Sequence, residues 1–351
     1  MYRNYLLKLP IYIAIWIIAI GLFIFLREFG HEVIKNYSTL GIYQHIGIYI
    51  ILATIAGILF GSLQIIFEKF IFKKVSFGVA LLLGSLGYLL TIFSLLSLTI
   101  LVFSRVLKEE LYRNLYRELL FSREMLPIIV YCFLIVSLIN FISEIDKKFG
   151  PGNLKKMLSG KFYKPKEEDR IFMFMDLRSS TSIAEKLGHI KYSELIQDCF
   201  RDISIVENYK AEIYQYVGDE AVLTWEKERG LKNNRCIGAY IAFQDKINSK
   251  KIYYSEKYNV VPEFKAGMHS GKITVAEVGE IKREIAYHGD TINTASRIQN
   301  ECNVLGKDFL ISEDLVKNIS ETGDFKFQSE GDIQLKGKTE TKKIYSLHRI
   351  R

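Results

Sequence analysis

Two carboxylates, Asp176 and Asp219, each fall where a short apolar strand gives way to a turn. Ile171–Leu177 is an apolar run that places Asp176 at its end, and Ala211–Val217 leads into Gly218-Asp219 before Ala221–Trp225 returns. Two such acids can hold a pair of divalent ions that clamp the attacking oxygen and the leaving phosphate of a phosphoryl transfer. Either acid alone reads as a turn or cap residue, so the chemistry rests on the pair. Arg178 and Glu220 flank the two acids and read either as solvated neighbours or as groups that support the acids from behind. His269 and His288 have no second His or Cys at metal spacing and read as core or turn histidines.

The elements that position these residues alternate strand and helix. Arg178–Thr181 is a polar turn whose Ser and Thr are suited to cap a helix. Tyr192, Leu195, Ile196, Cys199, Phe200 and Ile203 then recur at three-to-four spacing, the mark of one buried helical face. The two strands around Gly218-Asp219 read as a hairpin with an acid at its tip. A helix over Leu231–Tyr258, strands over Phe264–His269 and Lys272–Val278, a helix over Asp290–Val304 and short terminal strands complete an α+β sandwich.

Upstream the pattern differs. The runs Leu9–Leu26, Ile46–Phe67, Phe77–Phe103 and Leu126–Ile142 are apolar and near the roughly 20 residues that cross a bilayer. The first lacks a small-residue cleavage site and is followed by further spans, so it is no cleavable signal peptide. An even number of spans puts both termini on one side. Arg3, Lys8, Lys69, Lys73, Lys74, Lys147, Lys148, Lys155 and Lys156 make that side cytoplasmic by the positive-inside rule. Arg105, Lys108, Arg113, Arg117 and Arg123 run against the rule. With Glu109, Glu110, Glu118 and Glu124 interleaved, they read as a charged helix extending beyond the bilayer. The spans carry almost no ionisable residues, which argues against a transporter, and Gly57, Gly61, Gly84 and Gly87 suit close helix packing.

The expected organisation is a transmembrane all-α bundle over residues 1–145, a juxtamembrane linker or coupling segment over 146–170, and an α+β domain over 171–351. The linker holds a Gly150-Pro151-Gly152 breaker, a lysine-rich stretch and a short helix over Asn153–Leu158. The 351 residues carry a formal charge of +8. The basic residues are spread out and many flank apolar runs, which points to anionic lipid headgroups rather than nucleic acid. Cys132, Cys199, Cys236 and Cys302 lack CxxC spacing and read as reduced, mostly buried thiols.

From Ile171 to Leu347 the chain resembles the catalytic domain of class III adenylate and guanylate cyclases. Five pieces carry the resemblance in the family's order. Phe174-Met175-Asp176-Leu177-Arg178-Ser179-Ser180-Thr181 is similar to the first metal-binding strand and turn, and Tyr216-Val217-Gly218-Asp219 to the second metal hairpin. Gly267-Met268-His269-Ser270-Gly271 is similar to a glycine-rich strand turn. His288-Gly289-Asp290-Thr291-Ile292-Asn293-Thr294-Ala295-Ser296-Arg297 resembles the signature Asn…Arg helix, and Leu335-Lys336-Gly337-Lys338 the terminal lysine turn.

The resemblance implies an α+β catalytic domain with a ferredoxin-like core, attached to a multi-pass cell-membrane anchor and facing the cytoplasm. It implies conversion of ATP to 3′,5′-cyclic AMP and pyrophosphate, with two Mg2+ or Mn2+ ions held by Asp176, Leu177 and Asp219. Backbone around Ser179, Ser180 and Thr181 would receive phosphate oxygens. Asn293 would orient the ribose, Arg297 would meet charge on the α-phosphate, and Lys336 would hold the β- and γ-phosphates. Family members build each site between two catalytic domains, so a head-to-tail homodimer is expected. Many adenylate cyclases read adenine with a Lys four residues before the second metal Asp and an Asp or Thr before the signature helix. Here those positions are Gln215 and Ala286. Gln215 suits either purine edge by amide orientation and lacks the acid with which guanylate cyclases read guanine, so ATP is the expected substrate and GTP the alternative.

Overall fold

The computed structural model describes residues 2–28, 42–70, 75–106, 125–150, 152–320 and 324–350. The chain divides into two compact units, Met1–Lys148 and Phe149–Arg351. The first contains the long helices α1 (Tyr2–Glu28), α2 (Ile42–Phe70), α3 (Phe77–Val106) and α4 (Met125–Phe149). Among the described residues, the segment Ile129–Phe149 is long and apolar enough to cross a membrane, and Leu9–Phe23, Ala53–Phe67 and Gly78–Ser94 are shorter apolar stretches. The expectation of four spans is thus met by one helix on length and composition, and in part by the others. The charged segment over residues 107–124 lies outside the described residues.

Small residues let these helices approach. A Cβ on Gly57 would stand 2.6 Å from the Ile13 Cα, and one on Gly61 2.9 Å from the Tyr12 Cβ. Tyr12, Trp16, Phe60, Tyr88, Val136 and Ile139 form the unit's core. Inside it, the Tyr88 hydroxyl donates to Gln64 Oε1 at 2.8 Å.

The second unit begins with α5 (Asn153–Leu158) and is built on an eight-stranded sheet. Its strands are β1 (Lys166–Leu177), β2 (Glu212–Val217), β3 (Glu220–Glu226), β4 (Phe264–Val278), β5 (Glu284–His288), β6 (Phe309–Ser312), β7 (Phe325–Ile333) and β8 (Lys342–Arg349). The order is β2-β3-β1-β4-β6-β8-β7, with β5 paired to β4. The helices are α6 (Ser180–Asp202), α7 (Lys227–Leu231), α8 (Arg235–Ser249), α9 (Lys251–Tyr258), α10 (Asp290–Leu305) and α11 (Glu313–Val316). The antiparallel neighbours β4-β1-β3-β2, with α6 joining β1 to β2 and α8–α9 joining β3 to β4, are a split βαβ arrangement of the ferredoxin-like kind.

Strand alternation divides the apolar residues between two faces. Ile171, Met173 and Met175 turn toward the core under α6, α8 and α9. Phe172 and Phe174 turn to the opposite face, where they meet Val222, Ile273, Val275, Tyr287 and Ala295. Phe162, from the segment before β1, joins that second cluster, so the linker is anchored in the domain rather than hanging free.

Three elements depart from the sequence expectation. The first strand starts at Lys166 rather than Ile171, because polar Lys166–Arg170 pair with Gly271–Val275 of β4. The helix expected over Leu231–Tyr258 breaks at Asn233 and Asn234, both left-handed, and again between α8 and α9. Phe264–Val278 is one continuous strand, with no turn at Ser270-Gly271. The glycines there serve a close approach instead: a Cβ on Gly267 would stand 2.1 Å from the Gln299 main-chain nitrogen, and one on Gly271 2.7 Å from Thr291 Oγ1. They let α10 lie directly on β4.

Candidate active site

The register of β1 on β3 pairs Asp176 with Glu220, so the hairpin residue before Glu220 falls beside the end of β1. Gly218, at φ +62°, makes the left-handed turn that a side chain would resist. Asp176 and Asp219 are near enough for the charge of one to act on the other. Burial first, then the Asp176 charge, push the Asp219 carboxyl above its ordinary range. Its Oδ2 is buried and has no hydrogen-bond partner among the described residues. Of the two readings of Glu220, the structure favours the supporting neighbour: it is partly buried, and burial with the two aspartates pushes it up to about 7.

Against these three acids stands one near cation, Lys265 on β4, whose Nζ lies 3.0 Å from Asp176 Oδ2. A buried carboxylate oxygen without a partner, inside a cluster short of positive charge, is the electrostatic complement of a divalent cation. The donor set therefore fits Mg2+ or Mn2+. Among the described residues no group of three or more His, Cys, Asp or Glu is arranged to hold a metal ion. Leu177 is buried at 1% exposure, and its main-chain carbonyl is its one possible ligand atom.

The turn after Asp176 differs in detail from a simple cap. Ser179 is left-handed at φ 56° and makes no side-chain cap bond to α6. The Arg178 amide is already committed to the Glu263 carbonyl at 2.8 Å, and its guanidinium pairs with Asp308. The first-turn amides of Ser180, Thr181 and Ser182 precede the first helical bond, from Ile183 to Ser179. They therefore point out of the start of α6 beside Asp219, where an anion is favoured.

Asn293 and Arg297 lie four residues apart on α10, on one helical face. Asn293 is exposed and Arg297 partly so. The terminal lysine turn comes up against them: a Cβ on Gly337 would stand 3.6 Å from Arg297 Nη2. Lys338 pairs with Asp290 at the head of the same helix, while Lys336 is exposed beside it. Asn293, Arg297 and the lysine turn form one group, and Asp176, Asp219 and the α6 turn another. Among the described residues no hydrogen bond or ion pair joins Asn293, Arg297 or Lys336 to either metal acid.

Gln215 is exposed on β2, and Ala286 is buried at 8% on β5. Their chain neighbours Tyr214 and Tyr287 meet edge-to-face at 4.7 Å, so the β4–β5 arm reaches back over the sheet to β2. The Arg170 guanidinium sits 4.9 Å from the Tyr287 ring centre and is fully buried, bonded to Glu212 at 2.8 Å and Glu168 at 3.0 Å.

The two histidines behave as the sequence suggested. His269 is buried with Nδ1 2.7 Å from Ser312 Oγ, and burial lowers it to about 4; His288 is exposed. Cys199, Cys236 and Cys302 are buried free thiols.

Sequence reasoning missed Lys265, Gln299 and Arg170. Gln299, on α10, donates from Nε2 to Asp176 Oδ2 at 3.1 Å. The signal for Gln299 was present in Gly267, whose missing side chain admits it.

The domain model described as the adenylate and guanylate cyclase catalytic domain matches residues 162–349. An adenylate cyclase 2 of Rhizobium meliloti (strain 1021) is 32% identical over 223 residues, covering 63% of this chain and 61% of that protein. An adenylate cyclase of Anabaena cylindrica is 27% identical over 184 residues, covering 50% of this chain and 36% of that one. The chain thus spans less than two thirds of the length of these relatives. Among solved structures, that of a bacterial light-regulated adenylyl cyclase superposes with a TM-score of 0.55 at 16% identity, over 65% of this chain and 67% of that one. That likeness is one of fold.

Proposed function

The chain belongs to the adenylate and guanylate cyclase catalytic-domain family, and from that premise we propose that it converts ATP to 3′,5′-cyclic AMP and pyrophosphate in a head-to-tail homodimer held at a membrane by its N-terminal helices. The observation that carries this reading is the Asp176–Asp219 pair, with a buried Asp219 oxygen lacking any partner beside an acid raised to about 7.

Asp176 and Asp219, with the Leu177 carbonyl, would hold two Mg2+ or Mn2+ ions, which when bound lower the pKa of the ribose 3′-hydroxyl and neutralise phosphate charge. The first-turn amides of Ser180 and Thr181, next to Ser179, donate to phosphate oxygens at the positive end of α6. Asn293 orients the ribose by hydrogen bonding. Arg297 presents its planar cation where charge develops on the α-phosphate, a place where a fixed donor lowers the barrier most. Lys336 stands beside it for the β- and γ-phosphates of the departing pyrophosphate. Gln215 offers an amide to the base edge, and Ala286 offers main-chain groups and room.

Among the described residues no hydrogen bond or ion pair joins Asn293 or Arg297 to the acids of the same protomer, although Gln299 of the same helix reaches Asp176; this supports completion of each site by a second copy, with the acids of one protomer facing Asn293 and Arg297 of the other. Outward-facing apolar side chains on α1, α2, α3 and α4 support a multi-pass membrane unit, which would raise the local concentration of catalytic domains.

Complementation tests the arrangement. Asp219→Ala and Arg297→Ala full-length proteins are each expected to be inactive. Co-expressed, they are expected to recover a fraction of wild-type turnover, because one site of the mixed dimer is intact. No recovery from a co-purified mixed dimer would exclude the shared site.

A further inference from the structure

Asp176 Oδ2 receives Gln299 Nε2 at 3.1 Å and Lys265 Nζ at 3.0 Å. Neither residue is on the strand that carries Asp176. Lys265 comes from β4, directly across the register, and Gln299 from α10. Both are buried, at 6% and 2% exposure. Gln299 is also fixed from behind, because α10 lies so close on β4 that a Cβ at Gly267 would overlap the Gln299 main chain. A donor held this rigidly on one oxygen of a carboxylate sets the plane in which the other oxygen is presented.

We propose that Gln299 is the positioning residue for the metal acid Asp176, and that through it α10 responds to metal at its own protomer's acid pair. α10 also carries Asn293 and Arg297, upstream of Gln299 by about 1.7 turns and about half a turn. In the head-to-tail dimer, on which this second clause rests, those residues serve the other site. Metal at one site therefore orders the helix that delivers Arg297 to its twin. The first clause needs only the contact between Gln299 and Asp176.

Mn2+ binding to the purified full-length protein, read by electron paramagnetic resonance without nucleotide, tests this directly. Gln299→Leu and the unbranched Gln299→Met remove the donor at similar volume, and either folded variant suffices. Roughly tenfold weaker Mn2+ binding is expected, the size of one hydrogen bond to a charged group. Thr291→Val is the control: it removes the bond from Thr291, on the same helix, to the Lys272 carbonyl of β4 without touching Asp176. It is expected to leave Mn2+ affinity within about twofold of wild type, as for a site that makes no contact with the metal acids. Hydrogen exchange adds the second readout: Mn2+ is expected to slow exchange of α10 amides in the wild type but not in Gln299→Leu. Unchanged Mn2+ affinity in a folded Gln299 variant, an equal loss in Thr291→Val, or a wild type that binds no Mn2+ would each overturn the proposal. A wild type that binds Mn2+ yet forms no cyclic nucleotide would overturn the cyclase reading and leave this one standing.

Discussion

On the helices of the first unit, Ile18, Phe25 and Leu90 stand 69%, 60% and 67% exposed, while polar Gln64, Ser85 and Asn140 are buried. In the second unit Ile171, Met173, Leu223 and Trp225 are wholly buried, and the outer faces carry charge. On the membrane reading proposed above, the inversion is what two solvents require. Water drives apolar side chains inward, whereas hydrocarbon leaves them outside and rewards pairing of polar groups within. Neither unit pairs every buried polar atom. Among the described residues, both amide atoms of Asn140 in the first unit are buried without a partner. In the second unit Arg170 satisfies its guanidinium with Glu168, Glu212 and Thr224, and the buried side-chain oxygen without a partner among the described residues is Asp219 Oδ2, in the candidate site. There it marks where a ligand is expected.

The largest expected effect tests that mark. Asp219→Ala is expected to lower turnover by roughly a thousandfold or more, since it removes a ligand for charge stabilisation in the transition state. Its thermal midpoint is expected to match or exceed that of wild type, because a crowded buried carboxylate is gone. An active Asp219→Ala protein, or one that fails to fold, would contradict the reading. Next comes Arg170→Met, which takes the guanidinium from Glu168 and Glu212 but leaves each its lysine, Lys161 and Lys156. It is expected to destabilise the catalytic unit by about 1.5–3 kcal/mol in denaturant titration, and a loss under about 0.5 kcal/mol would show that the buried network adds little.

Leu90→Lys addresses the other side of the comparison. In a bilayer an outward lysine at mid-helix costs about 2.5–3.5 kcal/mol of insertion, so membrane recovery of the protein is expected to fall. In water the same change would be neutral, and undiminished recovery would argue against the membrane reading.

The smallest effect concerns Asp198, buried under α9 with bonds from Tyr253, Tyr258 and Lys257 at 2.6, 2.7 and 2.9 Å. Those bonds outweigh burial and lower its pKa from 3.8 to about 2. The folded state thus favours the ionised acid. Its contribution is full above pH 3.8 and is lost as pH falls through about 2. After allowance for screening, that is about 1–2 kcal/mol. Asp198→Asn is expected to lose this amount at neutral pH and to flatten the acid limb of the stability curve. A variant whose acid unfolding overlays that of wild type would place the charge elsewhere.

The local features of this fold were legible from sequence. The hairpin around Asp219, the buried face of α6 and the helix bearing Asn293 and Arg297 all follow from periodicity and turn chemistry. What sequence concealed is long-range. Lys166–Arg170 read as a polar linker because their partners on β4 lie about a hundred residues away. Gly267 and Gly271 read as a turn because a glycine chosen for helix contact looks the same as one chosen for a turn. Sequence left Glu220 open between a solvated and a supporting role because its burial depends on neighbouring strands, and Lys265 and Gln299 reach Asp176 only once β4 and α10 are in place. The two groups of site residues were named from the family resemblance, motif by motif, because Asp176 and Asp219, like Arg297 and Lys336, stand far apart in the chain.

The central claim is tested most directly by cyclic-nucleotide formation from purified full-length protein given ATP or GTP with Mg2+ or Mn2+. Cyclic AMP from ATP well above cyclic GMP from GTP is the expected result. Predominant cyclic GMP would keep the chemistry and overturn the substrate, and no product from a folded dimer under any of the four conditions would contradict the account.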